Sequence, residues 1–138
     1  MYYCGHSLYI FFYRHTLIIR IEMSKGLALI LCVLTFLLVQ IMTWFQLNGQ
    51  FVWPWFKNNI FLLCLFGVPI SWLYIEATRL GFIAFDELIW PARLIGFGLG
   101  ILSFAVCANI YLGEGLTTKT IISLVLATIL VCIQVFWK

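Results

Sequence analysis

Residues 26–56 contain no Asp, Glu, Lys, Arg or His, an uncharged run of thirty-one residues. A helix needs roughly 20 apolar residues to cross about 30 Å of hydrocarbon, and only a bilayer accommodates such a run comfortably. Three further apolar segments come after it. Of the 138 residues 64% are hydrophobic and 9% charged, with a mean hydropathy of +1.10. A water-soluble domain carries roughly a quarter charged residues, so a soluble fold is excluded. The expected class is all-α, an integral membrane bundle of four transmembrane helices.

The net charge is +3, but the basic residues are scattered singly. Without a Lys/Arg cluster to follow a phosphate backbone, nucleic acid is not an expected partner. The cysteines at 4, 32, 64, 107 and 132 have no metal-ligand spacing. Four fall one per apolar segment and read as small packing hydrophobes. No phosphate loop, paired helical His or Ser/His/Asp set is present, so neither enzyme activity nor a cofactor or metal is expected.

Residues 1–22 differ from the rest of the chain. The apolar run at 8–13 is stopped by Arg14 and His15, too short to span and unlike a signal peptide. Met23-Ser24-Lys25 reads as an ordinary start, so 1–22 are expected to be a misassigned N-terminal extension, the alternative being an interfacial aromatic segment. The membrane domain is then 23–138, with spans at about 26–47, 59–79, 88–112 and 117–137. Trp53 and Trp55 flank Pro54 in the first loop and belong at the headgroup level. Pro69 bends the second span. Gly113-Glu114-Gly115 closes the last two spans into an antiparallel hairpin. Four spans put both termini on one side. Lys25, Arg79 and Lys138 (with Arg14 and Arg20) against Lys57 and Lys119 favour the cytoplasm of a bacterial inner membrane for that side, a three-to-two bias that a dual-orientation protein also shows.

Several polar residues could carry function. Gln40, Thr43 and Gln46 recur every three residues and cover about 120° of the first span, either lining a cavity or bonding between helices. Thr35 is the remaining polar residue of that span. Arg93 lies about a turn and a half into the third span. It could hold an anionic group, snorkel to the interface, or pair with Glu76, Asp86 or Glu87. Glu76 and Arg79, three apart, can pair on one face, with proton relay as the alternative. Glu114 suits the start of the last helix. Ala92, Gly96 and Gly100 form a small-residue ridge for close packing or an oligomer seam, while Gly98 and Gly100 could hinge the helix.

Residues 110–138 (IYLGEGLTTKTIISLVLATILVCIQVFWK) resemble the closing hairpin of the drug/metabolite transporter superfamily, where a helix ends in a Gly-Glu turn. Residues 76–100 (EATRLGFIAFDELIWPARLIGFGLG) add an Arg-x-Gly loop, closest to the four-helix, single-repeat "DMT family protein" group. Gly98-x-Gly100 falls where small multidrug resistance proteins have a glycine pair. The resemblance covers about 26–138 and implies a single repeat of the EamA or small multidrug resistance type. It implies secondary transport of a small molecule by a homodimer, antiparallel in orientation. Small multidrug resistance proteins carry a membrane-embedded Glu on the first helix, and this chain has none there. Arg93 also falls near their aromatic third-helix positions. Proton-coupled export of lipophilic cations is therefore not expected. The alternatives are a non-transporting subunit or stabiliser of a larger membrane assembly, and a lipid-linked sugar translocase subunit.

Overall fold

A computed structural model describes residues 24–137. The expected extension at 1–22, Met23 and Lys138 lie outside the described residues, and so do Cys4, His6, Arg14, His15 and Arg20. Among these residues five helices occur in order: α1 Lys25–Val52, α2 Pro54–Asn58, α3 Ile60–Ala84, α4 Ile89–Leu112 and α5 Thr118–Phe136. Four of them are long and apolar enough to cross a membrane. At 1.5 Å per residue, the 28 residues of α1 reach about 42 Å and the 19 of α5 about 29 Å.

Helix boundaries obey local chemistry. The Ser24 hydroxyl accepts from the Leu27 N–H at 3.3 Å and caps α1. Proline disfavours helical backbone in the residue before it, and Trp53 is extended (φ −122°, ψ 129°), so α1 stops there rather than at Leu47. The polar residues 48–50 expected in a loop are helical. The Asn48 and Gln50 side chains donate to the Trp44 and Leu47 carbonyls, while Gly49 is buried against the Phe56 ring. The second span also runs further than expected, because residues 80–84 are apolar and carry α3 to Ala84. Asp86 (φ 52°) and Glu87 (φ 70°) then turn the chain through left-handed backbone. Gly113 (φ 66°) ends α4 in the same way, without a Cβ penalty. The Thr117 hydroxyl caps α5 through the Thr120 N–H.

The helices alternate in direction, so α1 and α4 run parallel and both are antiparallel to α3. One end of the bundle holds the start of α1 and the α3–α4 turn, with Lys25 and Asp86 paired at 2.5 Å. The other end holds α2 and the Gly113–Gly115 link. The core forms where α1 meets α3 and α4: Cys32, Phe36, Val39, Ile70, Ala77, Ala92 and Ile95. Cys32, Ala77 and Ala92 let the helix backbones approach closely, and Phe36, Val39, Ile70 and Ile95 fill the space between them. A Cβ on Gly81 would run into the Ala92 Cβ, and one on Gly98 would run into Val131 Cγ2. The second of these contacts seats α5 on α4, and Ala127 is the buried residue of α5.

Outward positions are large and apolar. Phe61, Val68, Trp72 and Ile75 of α3 stand between 60% and 76% exposed. Such a surface would aggregate in water and is at home in hydrocarbon. The chain is a multi-pass membrane protein.

Candidate functional site

Successive members of a three-residue spacing drift by about 60° on a 3.6-residue helix, so the Gln40–Thr43–Gln46 stripe turns from one neighbour to another. Gln40 Nε2 donates to the Gly96 carbonyl of α4 at 2.8 Å. Gln46 Nε2 donates to the Leu63 carbonyl of α3 at 2.8 Å. In both cases the residue four further along the receiving helix is a glycine. A Cβ on Gly100 would lie 2.8 Å from the Gln40 amide nitrogen, and one on Gly67 would lie 3.2 Å from that of Gln46. The missing side chain leaves each carbonyl open to the glutamine.

The Thr43 hydroxyl donates to the Val39 carbonyl at 2.8 Å. A hydroxyl has one proton, so the contact with Tyr74 Oη at 3.2 Å takes the tyrosine proton. Thr78 likewise donates to the Tyr74 carbonyl. The polar stripe therefore binds α1 to α3 and α4, and its hydroxyl protons are committed within the protein.

Helices α3 and α4 share α1 as a floor but touch each other less, and a groove opens between them. Its inner part is a cavity of about 310 Å³ bordered by Phe36, Gln40, Tyr74, Arg93, Gly96 and Phe97. A second cavity of about 490 Å³ continues towards the Lys25 end, bordered by Tyr74, Ile75, Thr78, Arg79, Phe82, Ile89 and Arg93. Tyr74 and Arg93 border both. The groove thus unites Gln40 and Arg93, both expected from the sequence, adds Tyr74 and Phe97, and leaves Gln46 at the α1–α3 contact. A tyrosine deep in an apolar span needs a hydrogen-bond partner, which was the signal available for Tyr74.

Arg93 is the fifth residue of α4, and its guanidinium carbon sits 4.7 Å from the centre of the Phe97 ring. Of its expected carboxylate partners, Glu76 accepts from Arg79 Nη2 at 2.5 Å and Asp86 is bound by Lys25. Among the described residues no carboxylate pairs with Arg93. An arginine at the centre of a membrane helix costs about 2.5–3.5 kcal/mol on insertion scales, and less nearer the end. A cation–π contact returns about 0.5–2 kcal/mol. The ring contact offsets part of the cost and leaves the N–H donors of the guanidinium available to an anion.

The remaining sites take other places. The Ala92–Gly96–Gly100 ridge faces Gly81, Phe36 and Gln40 in turn, so it is used inside the chain. Pro69 is exposed on α3 and leaves the Leu65 carbonyl without its helical donor. Glu114 borders a cavity of about 440 Å³ between α4 and α5 at the Pro54 end. There Tyr111 gathers Trp44, Phe45 and Trp53 at ring-centre distances of 5.4, 5.1 and 5.5 Å. Among the described residues no group of three His, Cys, Asp or Glu side chains could hold a metal ion. No protein family, curated protein or solved structure compared with the chain matches it.

Proposed function

We propose that the chain is a small secondary transporter of the drug/metabolite transporter type, with the α3–α4 groove as the part of its path that meets substrate. The observation that carries this reading is Arg93, charged, within a span, facing a cavity and paired with no carboxylate among the described residues. Ionisable residues inside membrane spans mark substrate or ion pathways more often than packing. The likeness of residues 76–100 and 110–138 to that superfamily supports the same reading.

The core enclosed by α1, α3 and α4 is apolar, so a complete path runs along the groove or between two copies. Transporter sites commonly form between repeats, and a homodimer in a bacterial inner membrane, with both ends cytoplasmic, supplies the second repeat. The open side of the groove also suits a non-transporting membrane subunit. Thermal stabilisation of the purified protein by metabolite panels, then flux of each hit in proteoliposomes, separates the two. Transport predicts a stabilising solute whose flux falls at least tenfold in Arg93→Ala. Stabilisation without flux rejects transport.

A further inference from the structure

We propose that the groove between α3 and α4 binds a monoanionic amphiphile drawn from the bilayer, its headgroup on Arg93 and its chain along the outer wall. This rests on the groove being the substrate-facing part of the path and names the class of molecule that enters it.

Charge sets the headgroup. The groove holds two guanidinium groups, but Arg79 is bound to Glu76 and the two charges cancel. Among the described residues Arg93 then leaves one net positive charge, which matches one negative charge. A dianion would keep an unbalanced charge at membrane depth, and a zwitterion would gain no net attraction. The donors point the same way. Thr78 and Thr43 commit their protons to backbone carbonyls and Tyr74 commits its own to Thr43, whereas the N–H groups of Arg93 make no hydrogen bond among the described residues. The planar fork of a guanidinium suits two oxygens of a phosphodiester or a carboxylate.

The walls set the tail. Ile75 and Ile89 border the groove and are more than 60% exposed on its rim, so it opens sideways into hydrocarbon. Phe82 and Phe97 complete apolar sides that offer nothing to a free inorganic anion. A molecule with an acyl or similar chain fits this opening, and a water-soluble anion does not.

The test uses the full chain in nanodiscs of equimolar dioleoylphosphatidylglycerol and dioleoylphosphatidylcholine, with retained lipid read by native mass spectrometry. The phosphatidylglycerol is expected to be retained about fivefold over the phosphatidylcholine, as a single charge pair allows. Arg93→Gln should bring the ratio to about one, and Arg93→Lys, which keeps the charge, should hold an intermediate value. Lys119→Gln, at the opposite end, should leave the ratio unchanged. Oleate should displace the phosphatidylglycerol and millimolar inorganic phosphate should not. A wild-type ratio near one, or a preference that survives Arg93→Gln, overturns the proposal whatever the folding of any variant. Displacement by inorganic phosphate overturns the requirement for a chain. Lipid preference without solute flux keeps this site and removes transport, while flux without lipid preference does the reverse.

Discussion

Gln40 and Gln46 each reach a backbone carbonyl one turn before a glycine, and that pairing explains why the glycines at 100 and 67 have no side chains. Adding a methyl group at either position pushes a flexible amide aside and breaks one hydrogen bond, worth about 0.6 kcal/mol in membranes. At Gly81 the methyl group meets the Ala92 Cβ, which has no rotamer to give, so the helices must separate. Gly81→Ala is therefore expected to cost about 1–3 kcal/mol. Gly100→Ala and Gly67→Ala should each cost well under about 1 kcal/mol. Denaturant unfolding in mixed micelles compares them, and equal costs would contradict these contacts. Tyr111 touches three aromatic rings, so Tyr111→Ala should lose about 1–2 kcal/mol and Tyr111→Phe almost nothing in the same measurement. The polar stripe and the position of Arg93 were legible as residues in the sequence. The partners were not, because spacing along one helix does not say which carbonyl of another lies opposite. Tyr74, Phe97 and the spent proton of Thr43 emerge only when three helices are brought together.

Helix ends divided according to whether a stop signal was specific. Thr117 and Gly113 placed the last hairpin to within a residue of its sequence-based limits, since a capping hydroxyl and a left-handed glycine act at one position. The ends of the first two spans were read too early. Residues 48–50 are polar and 80–84 come after a charged pair, yet neither feature removes a backbone donor, and the helices continue until Pro54 and the Asp86–Glu87 turn. Among the long helices α5 is the least anchored, resting on α4 where Gly98 lets Val131 and the Ala127 carbonyl approach. Gly98→Val is therefore expected to lift α5 from its neighbour while leaving α1, α3 and α4 associated. Hydrogen exchange in micelles should show faster exchange in residues 118–136 and unchanged protection in α1. Uniform loss of protection would place α5 within the core unit instead.

At the scale of the molecule, four membrane-length helices among the described residues explain why so much apolar surface faces outward, why Gly81, Ala92 and Gly98 stand at the closest helix contacts and why most of the charges lie towards the two ends. That architecture was legible from the uncharged run at 26–56 and the three segments after it, because the length of hydrocarbon fixes the length of helix that crosses it. The groove was not legible, since it depends on α3 and α4 diverging over α1. The Lys25–Asp86 pair joins the start of α1 to the α3–α4 turn, but both groups are largely exposed and contribute at most about 1 kcal/mol. The most direct test of the four-crossing arrangement is sidedness. Single cysteines at Ser24, Asp86, Asn58 and Gly115, in a chain whose own cysteines are replaced by serine or alanine, are labelled with an impermeant maleimide in sealed, oriented membrane vesicles. The account predicts that 24 and 86 react from one face and 58 and 115 from the other; reaction of 58 and 86 from the same face would contradict it.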